Sequence, residues 1–393
     1  MLQSFGGHLV AFGALVSLLT GTGLPGALQS GTAWAVTATI VERGLFDCFP
    51  AGLAAEDGRA IVCETSAVIK SGDDLVFATD NFVPGREHAS VFALAGGRDG
   101  VAAGAPRFLR ESAILASGKL EAMTVTPDRA IILAATAFDR IALESAERDA
   151  YNMLLAWPAQ PGQPAQIVAA STRGGVTSSI KVRHGLTQAL ASDAFPEGPP
   201  YFKVEGLAAL PDGRLLFGIR ALGESKEAVS LTIRIVSVSY EVQDGSVFLG
   251  EDFALIYDYD ASNVWTLFAR EVGLSSLEYD PYNDRLYLLT SYEIEEGDKG
   301  AVSSLGGFLW TLSVADLDAG KPPALVLRRK GRPLVFFAQK PEGLAVIDGA
   351  HVFVVHDDDA VLGCENAAER DARLCRQPHQ AAYAVVRIGQ APN

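Results

Sequence analysis

Lys203-Val-Glu-Gly-Leu-Ala-Ala-Leu-Pro-Asp-Gly-Arg-Leu-Leu-Phe-Gly-Ile-Arg220 decides the fold. A short apolar run meets a Pro-Asp-Gly turn and a second apolar run leaves it, the signature of a β-hairpin. Lys119-Leu-Glu-Ala-Met-Thr-Val-Thr-Pro-Asp-Arg-Ala-Ile-Ile-Leu-Ala-Ala-Thr136 repeats the pattern, as does Lys340-Pro-Glu-Gly-Leu-Ala-Val-Ile-Asp-Gly-Ala-His-Val-Phe-Val-Val-His-Asp357. Looser copies run from Glu64 to Asp80 and from Ser275 to Ser291. Repetition on this scale marks a modular array.

Aligned on Glu64, Glu121, Glu205, Ser275 and Glu342, the copies stand 57, 84, 70 and 67 residues apart. A four-stranded blade needs roughly 40–50 residues. The surplus is therefore loop, or a divergent blade hides in residues 141–202. The expected fold is an all-β propeller of five blades, with six as the second choice and a β-sandwich or β-solenoid as the competing architecture. Second strands such as Val352-Phe-Val-Val355 are continuously apolar, which suits sheets covered on both faces. After the last hairpin only Ala381–Gly389 reads as a strand, while Val36–Glu42 is a spare strand at the other end. Pairing of the two ends would close the ring and remove its exposed edges. Short helices are expected at 141–149 and 365–374.

The first 35 residues hold no Asp, Glu, Lys or Arg, and an apolar run from Leu9 to Leu19 precedes Ala33-Trp34-Ala35. This reads as a cleaved signal peptide over 1–35, too short to span a bilayer. Residues 36–393 then form one propeller domain in the periplasm or outside the cell, expected to be monomeric. The net charge of −15 excludes non-specific nucleic-acid binding. Cys48 with Cys63 and Cys364 with Cys375 read as two local disulfides, since neither spacing suits zinc, although four cysteines also permit other pairings.

In a propeller the first strand of each blade lines the axis, and its start shares a rim with the end of the second strand. The expected rim collects Glu64, Glu121, Glu205 and Glu342 with Asp80, Asp357, Arg220 and His356. Lys119, Lys203 and Lys340 each sit two residues before a glutamate, hence on the same strand face. Converging carboxylates suit Ca²⁺, with the lysines and Arg220 placing an anionic ligand. His356 is the candidate general base, because histidine titrates near neutral pH. The same Lys-x-Glu spacing also builds a purely internal ladder of ion pairs. No G-x-S-x-G, H-E-x-x-H, Walker or dinucleotide motif occurs.

At the strings 205–215 and 342–353, and at Ser275-Ser-Leu-Glu-Tyr-Asp-Pro281, the sequence resembles exported bacterial propellers of the esterase-like phytase group and a neighbouring uncharacterised propeller family. That resemblance implies an axial calcium site and hydrolysis of a phosphate ester or lactone, with Glu205 and Glu342 carried over first. Ser275 departs from it by replacing a glutamate. Two functions follow as expectations. One is a calcium-assisted hydrolase in which the ion polarises the ester and activates water. The other is a non-catalytic propeller that binds a ligand or a protein.

Overall fold

Five antiparallel sheets, each led by one of the repeated hairpins, make a five-bladed propeller. The computed structural model describes residues 36–393 apart from 82, 86, 143–144, 160–163, 262–270, 297–300, 338, 359–374 and 390–393. The leader expected over 1–35 lies outside them. From the axis outward, blade one begins Thr65–Ser71, Asp74–Thr79, Val91–Gly97, and blade two Leu120–Val125, Ile131–Thr136, Leu154–Pro158. Blade three begins Tyr201–Ala209, Arg214–Ser225, Ala228–Gln243, and blade four Gly273–Asp280, Arg285–Glu296, Ala301–Ser313. Blade five runs Pro341–Asp348, His351–His356, Gln380–Gly389, and its outermost strand is Thr37–Asp47 from the other end of the chain. Each innermost strand packs against the innermost strands of both neighbouring blades, which closes the ring.

The continuous apolarity of the second strands follows from this packing. Alternate side chains point to opposite faces of a sheet, and here each face meets a different blade. Val76 and Ala78 enter the core shared with blade two, whereas Leu75 and Phe77 enter the core shared with blade five. Five apolar clusters result, one between each adjacent pair of blades. Residues 141–202 do not form a sixth blade. They supply the outer strands of blade two, a hairpin of Ser171–Arg173 with Val176–Ser178, and the helix Ile180–Ala189. The helix expected at 141–149 is instead a single 3₁₀ turn, Asp149–Tyr151, whose Asp149 is fully buried against Arg173. The helix expected at 365–374 lies outside the described residues.

The closing strand is tied at both ends. Thr37–Asp47 pairs with Gln380–Gly389 through a ladder with one bulge. The Cys48–Cys63 disulfide then joins its end to the start of blade one. Cys375 is also disulfide-bonded, and its expected partner Cys364 lies outside the described residues. A disulfide of this kind belongs to oxidising compartments. Among the described residues no helix is long and apolar enough to cross a membrane.

The glycine of the Glu-Gly-Leu-Ala string has a packing reason. A Cβ on Gly343 would stand 2.9 Å from both the Ala67 Cα and the Val68 N of the neighbouring inner strand. Backbone cannot yield as a side chain can, so Gly343→Ala is expected to cost about 1–3 kcal/mol. A denaturant melt checks this, and an unchanged midpoint would contradict it.

Candidate functional site

One irregularity recurs in all five inner strands. The register slips by one residue at Ser66, Glu121, Glu205, Ser275 and Glu342, each left as the extra residue of a β-bulge. A bulge re-aims a side chain and leaves its backbone outside the ladder, and here it gathers three glutamates at one end of the axis. Glu64 does not belong to this ring. Its position is that of the lysines: the carbonyls of Glu64, Lys119 and Lys340 accept equivalent hydrogen bonds from the N–H groups of Asp80, Ala137 and Asp357. Blade one therefore places serine at the glutamate position and glutamate at the lysine position. Arg220 sits on a second bulge, skipped in its pairing with both neighbouring strands.

The charges form one continuous chain. Asp80 Oδ2 lies 3.3 Å from Lys119 Nζ, which contacts Glu121. Glu121 Oε1 lies 3.0 Å from Lys203 Nζ, which contacts Glu205. Arg220 follows, 3.3 Å from Glu205 Oε2 and 3.4 Å from Glu293 Oε1, and it donates to Ser291 Oγ at 2.6 Å. Lys340 completes the chain, 2.5 Å from Glu293 and 3.1 Å from Glu342. Glu121, Glu205, Glu342, Arg220 and Lys340 are buried. Glu293 carries no counterpart in the repeat. The place it fills arises because blade four has Gly273 and Ser275 where blades two, three and five have lysine and glutamate. Its alternation with Ser291 along one strand is the only sequence signal for it.

The electrostatics separate the carboxyls. Burial pushes Glu121 up, but Lys119 and Lys203 outweigh it and hold the group at about 2. Glu293 is likewise held at about 2 by Lys340 and Arg220 against burial. Glu342 goes the other way, pushed up to about 8 by burial and by Glu205 beside it, with Lys340 only partly compensating. Asp80 is raised by burial and by Glu121. Glu121 holds Lys119 above its ordinary value, and Glu121, Glu205 and Glu342 hold Lys203 well above, in both cases against burial.

Two carboxylate groups are close enough to be tested as calcium ligands. Oxygens of Glu121, Glu205 and Glu342 lie within 4.8 Å of one another, as do those of Glu64, Asp80 and Asp357. The inner trio does not fit a calcium ion, because the ammonium of Lys203 already stands between Glu121 and Glu205. Its cation is a side chain. In the outer trio Lys119 reaches Asp80 and the Asn81 amide donates to Glu64 at 2.7 Å.

Above this floor opens a cavity of about 1160 Å³ lined by Asp80, Lys119, Glu121, Lys203, Arg220, Glu293, Lys340, Glu342 and Asp357, with Tyr151, Tyr201, Arg140 and Lys226 among the wall residues. Glu205 lies beneath it, between Lys203 and Arg220. Tyr151 ends the 3₁₀ turn between the second and third strands of blade two and Tyr201 opens the inner strand of blade three, and neither position is one of the repeated polar positions. His356 is not part of the cavity. It is fully buried, edge-on to Phe336 at 5.5 Å, and burial together with Arg43 and Arg376 depresses it to about 3. A substrate in the cavity cannot reach it, so the general-base role is set aside.

Fold and site together define a five-bladed propeller with an axial charge network under an open cavity. No protein family and no curated protein matches the chain. Solved structures similar to it include a member of the DUF4221 family from Bacteroides vulgatus, at 9% identity and a TM-score of 0.38, covering 91% of this chain and 99% of that one. An exo-beta-1,3-galactanase from Clostridium thermocellum matches at 11% and 0.41, covering 86% and 62%. The PQQ-bound aldose sugar dehydrogenase from Streptomyces coelicolor matches at 12% and 0.33, covering 88% and 99%. Likenesses at this level say nothing about activity, and the phytase resemblance gains no support from them.

Proposed function

We propose that the protein is a ligand-binding propeller whose cavity takes a small polyhydroxylated molecule. The observation that carries this reading is the alternating floor of ammonium, guanidinium and carboxyl groups beneath an open cavity of about 1160 Å³. Four cations offset four of the five carboxyls, and Glu342, pushed up to about 8, is largely protonated at neutral pH, so the floor does not call for a counter-ion. Yet an ammonium has three donors and a carboxylate about four acceptor sites, more than these pairs consume. Hydroxyl groups both donate and accept, and a molecule rich in them can use the surplus. Tyr201, and Tyr151 with the Arg140 guanidinium stacked 4.2 Å over its ring, stand in the cavity wall where the carbon skeleton of such a ligand would pack. The Cys48–Cys63 disulfide supports a periplasmic or extracellular setting.

Titration calorimetry with neutral sugars and polyols tests this. Tyr201→Ala is expected to weaken binding at least about tenfold, the loss of about 1.4 kcal/mol of contact. No binding by any compound, or binding unchanged in the variant, would contradict the reading.

A second reading keeps calcium-assisted hydrolysis of a phosphate ester or lactone, moved to Glu64, Asp80 and Asp357, and the closeness of their oxygens favours it. Ca²⁺ takes six to eight oxygen ligands, so solvent or substrate would complete the shell. Calcium affinity unchanged by Asp80→Asn would remove this reading.

A further inference from the structure

One sector of the cavity wall comes from blade two alone and holds polar groups that the floor does not use. Gly118, Lys119, Asp139, Arg140 and Tyr151 all line the cavity. Backbone hydrogen bonds make them one piece: the N–H of Gly118 donates to Ala150 at 2.8 Å, that of Ala137 to Lys119 at 3.1 Å and that of Phe138 to Tyr151 at 3.1 Å. The Arg140 carbonyl accepts from the Asn152 amide at 2.7 Å, and the Arg140 guanidinium lies over the Tyr151 ring. Gly118 backs that ring, since an added Cβ there would stand 3.2 Å from it. Arg140 is thus fixed at its backbone and at its head. Its donors are unspent all the same. The side chain is 39% exposed, and its one ion-pair contact among the described residues, from Nε to Asp139 Oδ1, is 3.6 Å long, too far for a hydrogen bond. Asp139 Oδ1 is buried and has no hydrogen-bond partner. Unused donors and an unused acceptor therefore stand side by side in the wall.

Resting on the reading of the cavity as a polyol site, we infer that its ligand is a sugar acid: a polyhydroxylated molecule with one carboxylate, which Arg140 binds while Asp139 accepts a neighbouring hydroxyl. A guanidinium is a planar fork that matches the two oxygens of a carboxylate, and stacking on Tyr151 sets the plane of the fork before the ligand arrives. The floor does not supply this function, because Lys119, Lys203, Arg220 and Lys340 are each in contact with carboxyls of the protein. A doubly charged phosphate fits this wall less well than a singly charged carboxylate, because it would lie beside Asp139.

The test is calorimetry of the protein with sugar acids and their neutral counterparts: gluconate against glucitol, glucuronate against glucose, galacturonate against galactose. In at least one pair the acid is expected to bind at least about tenfold more tightly, as a charge-assisted hydrogen bond allows. In Arg140→Gln that ratio is expected to fall towards one, and Arg140→Lys, which keeps the charge but not the planar fork, is expected to recover only part of it. Acids that bind the parent no more tightly than their counterparts overturn the inference and leave the polyol site standing. Failure of every acid and every neutral compound to bind overturns the two together. An acid preference undiminished in Arg140→Gln overturns the assignment to Arg140. Glucose 6-phosphate that binds more tightly than every acid also overturns the inference, in favour of a phosphate.

Discussion

Replacing Glu121 with leucine is expected to cost about 3–5 kcal/mol, the loss measured when one partner of a buried ion pair is removed and the other is left without its counter-charge. Glu121 is 2% exposed and meets the ammonium groups of both Lys119 and Lys203. Its removal leaves Lys119 with Asp80 alone and Lys203 with Glu205 alone, against a total stability of roughly 5–15 kcal/mol for a typical domain. The double variant Lys119→Met/Glu121→Leu is expected to recover part of the loss, since apolar replacement of a whole pair is far less costly than its disruption. Denaturant melts of the single and double variants read the difference directly. A single variant as stable as the parent would contradict the network.

The same network fixes the direction of the pH response. Glu121 has a folded value of about 2 against an ordinary 4.5. Its contribution is therefore present above about 4.5 and is lost as pH falls from there through about 2. Glu342 has the opposite sign. With a folded value of about 8, its contribution is full below about 4.5 and is lost as pH rises through about 8. Glu342→Gln, which cannot ionise, is accordingly expected to gain stability relative to the parent above pH 8 and to leave the acid limb unchanged.

The second large effect is expected on deleting Thr37–Asp47. This strand covers the outer edge of blade five, and without it Gln380–Gly389 presents an unpaired ladder, a template for association between chains. The deletion also removes Phe46, whose ring packs 4.5 Å from Phe77 in the core between blades one and five. Loss of a buried phenylalanine alone costs about 3–5 kcal/mol, and the whole ladder is lost with it. Size-exclusion chromatography should show species larger than the parent, and added peptide spanning 36–49 should restore the parent's elution by reoccupying the edge. A truncated chain that elutes with the parent and melts at the parent temperature would refute closure by the two ends.

Much of this was legible because hairpin chemistry is local. Pro211-Asp-Gly213 and the apolar runs beside it specify a turn and two strands without reference to the rest of the chain, and five such units suffice for a ring. Equivalence between units was harder to read. Residue similarity aligns the loosest copy glutamate to glutamate, whereas the bulge makes Ser66 the counterpart of Glu121 and Glu64 that of Lys119. A bulge has no residue signature of its own, so the two-residue offset leaves no trace in the sequence. Arg220 lines the cavity, and the bulge that carries it has no signature in the sequence. Glu293, Tyr151 and Tyr201 lie off the repeated positions, where periodicity is silent. The strand end that carries His356 does not face the axis, which strand periodicity alone does not encode. Between two blades that end is sealed by Phe336.

The most direct measurement is a carboxyl ¹³C titration of the glutamates, assigned through Glu121→Gln and Glu342→Gln, with and without millimolar Ca²⁺. An axis held by lysines predicts that Glu342 titrates near 8 and Glu121 near 2, with neither step moved by calcium. Titration of both at ordinary values, or a shift of both when calcium is added, would contradict it.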